Sequence, residues 1–91
     1  RMAQSRPELA LFLSVLDEEA SDRDVEVVLE YELQKADGVR APSETTAVLT
    51  GLKPPNVRKI ASRTRKKMIR RVASDQALAV LAGFWFLSGG A

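Results

Sequence analysis

The chain contains no cysteine and no histidine among its 91 residues. Without cysteine it can form neither a disulfide nor a zinc site with thiolate ligands, and without histidine it lacks the commonest general base and metal ligand. The sequence also shows no nucleophile beside a base, no glycine-rich phosphate loop and no cluster of metal ligands. We therefore expect no enzymatic activity and no metal or other cofactor.

Long hydrophobic runs are scarce. The one apolar tract, residues 77–87, spans eleven residues, whereas a membrane-spanning helix needs about 20. No signal peptide is expected either, because acids follow a short apolar stretch at the N-terminus and no small-residue cleavage site is present. These absences predict a protein without a membrane partner, and the lack of cysteine fits a cytoplasmic location.

A strong separation of charge is the main feature of the sequence. Residues 1–44 contain eleven acids and five bases, whereas residues 53–71 contain nine bases and no acid. The net charge of +2 conceals this difference. A cationic segment on an acidic body presents one face to a polyanion. The plain alternative is a solvated helix face, but such a face ordinarily mixes charges for pairing between residues i and i+4.

Capping signals divide the first half of the chain into two helices. Ser5 and Glu8, with Pro7 between them, form a capping box for a first helix that should fade at residues 17–19. A second helix should begin at Ser21 or Asp22 and run to about Lys35, with Gly38 beyond its end. Residues 25–33 alternate as in a strand, but no second alternating run could pair with them, so we predict a helix there.

A third, short helix should have Ser43 as its N-cap and end at Gly51. A tight connector follows, because Pro55 lacks an N–H group and disfavours helical geometry at Pro54. Asn56 can then cap a fourth helix that begins at Val57.

This fourth helix is strongly two-sided. Its inward stripe on a helical wheel consists of Val57, Ile60, Ala61, Thr64, Met68 and Val72. Its opposite face carries Arg58, Lys59, Ser62, Arg63, Lys66 and Arg70. A short helix followed by such a basic helix is typical of a helix-turn-helix, whose second helix enters the DNA major groove. We predict an all-α fold of four to five helices, with a helix-turn-helix domain over residues 5–73, a recognition helix at about 56–72 and a C-terminal apolar helix at 74–91 for packing or dimerisation.

The segment GLKPPNVRKIASRTRKKMIRR resembles region 4, the C-terminal promoter-reading region of bacterial sigma factors. In that family a Gly and an aliphatic residue close the first helix, four residues intervene, a Val opens the recognition helix, and an Arg-x-Arg pair precedes an aliphatic residue. The matching residues here are Gly51, Leu52, Val57, Arg63, Arg65 and Met68. The resemblance covers residues 8–72. It implies a role in transcription initiation, with RNA polymerase contacted by the acidic front helices.

The same residues are similar to the LuxR-type DNA-binding domain, which has a Lys and an aliphatic residue where this chain has Lys67 and Met68. That family ends in a dimerising helix, which the segment 76–78 resembles, so a homodimer through residues 74–88 is implied. The apolar tract 77–87 also fits a core helix packed on the first two helices. Its predicted helical stripe is Leu78, Leu81, Ala82 and Trp85, and Phe84 and Phe86 point elsewhere.

Two sets of residues are candidates for DNA contacts. The exposed N-terminal half of the recognition helix should reach base edges, where arginine suits the two acceptors of guanine. These base-contact candidates are Asn56, Arg58, Lys59, Ser62 and Arg63. Phosphates should be held by basic and hydroxyl side chains and by N–H groups at the start of the short helix. These phosphate-contact candidates are Lys53, Arg65, Lys66, Arg70, Ser43 and Thr45.

Two other functions stay open. A helical protein-interaction module, such as an adaptor or a regulator of a sigma factor, would use the basic helix and the aromatic tail to bind an acidic protein surface. Alternatively, the basic face could bind RNA or DNA without regard to sequence. Few aromatic residues lie beside the Lys and Arg residues, which argues against a site where aromatic side chains stack on the bases of a single strand.

Overall fold

The computed structural model describes residues 6–83 and 87, and over these residues it contains helices and no strand. The four α-helices are α1 (Arg6–Glu19), α2 (Asp22–Ala36), α3 (Pro42–Thr50) and α4 (Pro54–Ser74). A 3₁₀ helix follows at Gln76–Gly83. The predicted all-α class is therefore confirmed, and the alternating residues 25–33 lie within α2.

The predicted signals at the ends of α2 are confirmed. Ser21 is its N-cap, and the Ser21 hydroxyl oxygen accepts a hydrogen bond of 3.2 Å from the N–H group of Asp24. Beyond its end, Gly38 has a φ of +75°, and Gly51, which ends α3, has the same value. This left-handed conformation strains other residues, which explains glycine at both positions. The predicted capping residue Ser5 lies outside the described residues.

Two predicted helix starts are wrong. The N-cap of α3 is Ala41 and not Ser43, because Pro42 takes the first helical position, where a missing N–H group costs nothing. Helix α4 begins at Pro54 and not at Val57. Its N-cap, Lys53, is extended, as a residue before proline should be. Both prolines therefore fit within the first turn of α4, and Asn56 lies inside the helix rather than at its cap.

Helix α4 lies at the centre of the packing and contacts α1, α2, α3 and the 3₁₀ helix. Its buried residues are Val57, Ile60, Ala61, Thr64, Met68 and Val72. This set is the predicted inward stripe. The stripe meets apolar side chains from the first two helices, namely Phe12, Val15, Leu16, Val27 and Val28. Because α4 is packed against the core along its length, the direction of its opposite face is fixed.

The described part of the C-terminal segment packs on its own chain. Leu78 and Leu81 are buried in the core, as is Leu87. The segment 76–83 is a 3₁₀ helix. Of the predicted stripe, Leu78 and Leu81 are buried, whereas Ala82 is exposed. The aromatic residues 84–86 of the prediction lie outside the described residues. Pairing of two chains through residues 74–88 stays a prediction, which sedimentation at high micromolar concentration would test.

Among the described residues, no helix is long and apolar enough to cross a membrane.

Candidate nucleic-acid interface

The outward face of α4 is cationic along the whole helix. The 21 residues of α4 include no acid, and at about 1.5 Å per residue the helix is roughly 30 Å long. The predicted outward residues Arg58, Lys59, Ser62, Arg63, Lys66 and Arg70 are all exposed. Asn56 and Lys67 are also exposed, as is Lys53 at the N-cap. The structure therefore places on one helix all five base-contact candidates and three of the six phosphate-contact candidates, with Lys53 at its N-cap.

Three arginines of α4 form ion pairs with acids of α1 and α2, and two of them, Arg65 and Arg71, are only partly exposed. Arg63 pairs with Asp24 at 3.6 Å, and Arg65 pairs with Glu32 at 3.6 Å. Arg71 is 2.8 Å from both Glu18 and Glu19. Hydrogen bonds to Glu19 and then Glu18 raise the pKa of Arg71 above its ordinary value. Some of the charge on the acid-free segment thus attaches α4 to the acidic helices.

Arg65 is badly placed for its predicted phosphate contact. Only 16% of its side chain is exposed, and its guanidinium lies beside the buried carboxylate of Glu32. Lys35 also reaches this carboxylate, with its ammonium nitrogen 3.0 Å from the Glu32 Oε2 atom. Burying a charge is costly unless it is paired, so Arg65 and Lys35 compensate Glu32. The sequence alone has no signal for this cluster, because Glu32 and Arg65 lie on different helices.

The start of α3 contacts the exposed face of α4 through one hydrogen bond. The Nη1 atom of Arg58 donates to the Ser43 hydroxyl oxygen at 3.0 Å. A base-contact candidate and a phosphate-contact candidate are thus neighbours. The N–H group of Thr45 is already bonded to the carbonyl of Ala41 at 3.0 Å, so it is not open to a phosphate. The side chains of Ser43 and Thr45 are partly exposed.

A cleft of about 210 Å³ lies between the start of α2 and the first half of α4. It is lined by Arg23, Leu52, Asn56, Lys59, Ile60 and Arg63. Three of the six lining residues are cationic, and one of these, Arg23, is not among the predicted contacts. Sequence reasoning missed Arg23 because it lies 30 positions before Lys53 in an acidic segment, and only folding brings it to α4.

In comparisons with family models, curated proteins and solved structures, nothing matches this chain. Within the described residues there is also no group of three or more acids that could hold a metal ion. The case for a function therefore depends on the geometry and charge of α3, α4 and the cleft beside them.

Proposed function

We propose that this protein binds duplex DNA in a sequence-specific manner as a transcription initiation factor, with α3 and α4 acting as a helix-turn-helix. The observation that carries the proposal is the exposed face of α4, which is free of acids along the helix and fixed in direction by a fully buried opposite stripe. Residues 51–53 join α3 to α4, and this short connection suits a motif whose second helix enters the major groove. The likeness to sigma region 4 supports the role in initiation.

The function is tested by mixing the purified protein with a library of random duplexes at two salt concentrations. A sequence-specific protein recovers duplexes with a defined motif at both salt concentrations, because base contacts discriminate among sequences and phosphate contacts do not. Recovery of unrelated duplexes at low salt and of none at high salt would instead identify a generic cationic surface. A protein that retains no duplex at either concentration would refute the proposal and favour the protein-interaction alternative.

Affinity for duplex DNA should fall steeply with salt. If four to six phosphates contact the exposed basic side chains of α4 and of the neighbouring segments, the slope of log affinity against log salt should be about −4 to −5, at roughly 0.9 per phosphate. Fluorescence anisotropy on a labelled duplex over a range of salt concentrations measures this slope. A slope near zero would contradict an electrostatic interface.

Arg63 and Arg70 should differ in kind, because Arg63 lies on the half of α4 proposed to reach base edges. Replacing Arg63 by Ala should cost about 1 to 3 kcal/mol on the preferred site and relax specificity at one or two positions. Replacing Arg70 by Ala should weaken all sequences alike. Arg63→Lys is the matched control, because it keeps the charge but cannot bind guanine through a two-pronged fork. Equal, sequence-independent losses in Arg63→Ala and Arg70→Ala would contradict base reading by Arg63.

A protein partner is proposed for the outer face of α2, where Leu29 and Leu33 are 40% and 54% exposed, one helical turn apart. Glu26 is exposed beside them. The sigma resemblance makes RNA polymerase the partner to test. Leu33→Asp should weaken binding to the polymerase core by about 2 kcal/mol if Leu33 anchors the interface. Co-sedimentation measures this loss. The control is Val80→Asp, which alters a similarly exposed residue on the 3₁₀ helix. Equal binding by both variants would rule out this face.

A further inference from the structure

We propose that the cleft between α2 and α4 binds one backbone phosphate of duplex DNA, with Arg23 and Lys59 as its partners. This inference rests on the proposed function and adds a contact from outside the helix-turn-helix. It makes Arg23 a DNA-binding residue, and it assigns a phosphate rather than a base edge to Lys59.

The carboxylate of Asp24 holds the two arginines at this cleft. Its Oδ1 atom accepts hydrogen bonds from the Nε and Nη2 atoms of Arg23 at 3.2 and 3.0 Å. Its Oδ2 atom lies 3.6 Å from the Nη2 atom of Arg63. Only 13% of the Asp24 side chain is exposed, and the Ser21 hydroxyl accepts a hydrogen bond from the Asp24 N–H group. Asp24 therefore contacts one arginine on each side.

The charges around the cleft favour an anion. Arg23, Lys59 and Arg63 contribute three positive charges, and one carboxylate, that of Asp24, contacts these arginines. The site thus stays positive after its internal ion pairs are counted. The volume of the cleft is about 210 Å³. This is several times the volume of roughly 30 Å³ that one water molecule occupies in the liquid. It therefore has room for a phosphate group, with Asn56 as a further polar wall.

The two arginines remain accessible despite their contacts with Asp24. The side chains of Arg23 and Arg63 are 62% and 50% exposed. Ion pairs as exposed as these are weak, whereas a phosphate offers charge-assisted hydrogen bonds of the kind arginine forms best. A guanidinium has five N–H donors, so Arg23 can keep its contact with Asp24 and still donate to a phosphate oxygen. Arg63, on the other side of Asp24, stays directed to the base edges.

The first measurement compares Arg23→Gln with Arg71→Gln, which makes the same change of charge at an arginine bound to Glu18 and Glu19. Loss of the Arg23 contact should lower affinity by up to about fivefold at about 0.15 M salt and reduce the salt slope by up to about 0.9, because Lys59 still faces the same phosphate. Arg71→Gln should change affinity less than Arg23→Gln and leave the slope intact. Circular dichroism checks that both variants fold. If the wild type binds duplex DNA but Arg23→Gln matches Arg71→Gln, the cleft is not a phosphate site and the proposed function stands.

The second measurement identifies the phosphate. Duplexes carrying a single neutral methylphosphonate at successive positions are bound to the wild type, to Arg23→Gln and to Arg70→Gln. At one position the substitution should weaken the wild type about fivefold and weaken Arg23→Gln clearly less, because only Lys59 then holds that phosphate. Arg70→Gln should show its reduced sensitivity at a different position. Full sensitivity of Arg23→Gln at every position would overturn the inference. A wild type that binds no duplex at low salt would overturn the proposed function together with it.

Discussion

A protein in which Lys66 and Arg70 are both replaced by glutamine should bind duplex DNA about thirtyfold more weakly than the wild type at about 0.15 M salt. Both side chains are exposed on α4, and within the described residues neither forms an ion pair or a hydrogen bond with another part of the chain. The loss comes from two phosphates that no longer release their counterions. Replacement by glutamate should reduce affinity further, because the new charges repel the backbone.

The measurement is a titration of each double variant against the preferred duplex and against an unrelated one. The loss should be equal on the two duplexes, because phosphate contacts carry no sequence information. Thermal unfolding should be nearly unchanged, since exposed side chains without partners contribute little to stability. Retention of wild-type affinity by the glutamate variant would remove α4 from the interface.

The second large effect concerns Leu81, which has no exposed surface although it lies in the C-terminal segment. Replacing it by Ala should lower the free energy of unfolding by about 2 to 5 kcal/mol, as expected when a leucine is deleted from a packed core. A domain of this size has a total stability of about 5 to 15 kcal/mol, so the variant should lose a large share of it. Chemical denaturation followed by circular dichroism measures the change.

The matched control is Val80→Ala, which removes an exposed neighbouring side chain and should cost about 0.5 kcal/mol or less. Truncation after Ala73 should be more damaging than Leu81→Ala, because it removes Leu78, Leu81 and Leu87 from the core. If residues 74–88 instead serve to pair two chains, the truncated chain should be a monomer that still folds and binds DNA more weakly. A stable truncated monomer would show that the buried contacts of the 3₁₀ helix are dispensable.

The helices and the two faces of α4 were predictable because both depend on local patterns. A small or apolar residue every three or four positions is enough to give the stripe from Val57 to Val72. Basic residues occupy most of the remaining positions. The end of α3 was predictable for a similar reason, since Gly51 adopts a conformation that few other residues tolerate.

Contacts between distant residues were not predictable from these patterns. Glu32 and Arg65 are 33 positions apart, and nothing local distinguishes Glu32 from the exposed acids of α2. Arg23 reaches the cleft only because α2 packs against α4. The start of α4 was placed too late because Pro54 and Pro55 were interpreted as a connector, although a first helical turn needs no N–H groups from its residues. Glu32 and Arg23 thus acquire their neighbours through tertiary packing, whereas the two prolines fit either a connector or a first helical turn.

The prolines at the start of α4 have a consequence for how its surface is controlled. Helix N-termini often hold anions through unpaired N–H groups, but Pro54 and Pro55 have none. The next two N–H groups, of Asn56 and Val57, both donate to the carbonyl of Lys53 at 2.9 and 3.1 Å. The backbone therefore has no anion-binding N–H groups at the first four residues of α4. In the proposed interface the attraction for DNA would therefore come from the side chains of α4, so substitution or lysine acetylation should reduce it stepwise without disturbing the main chain.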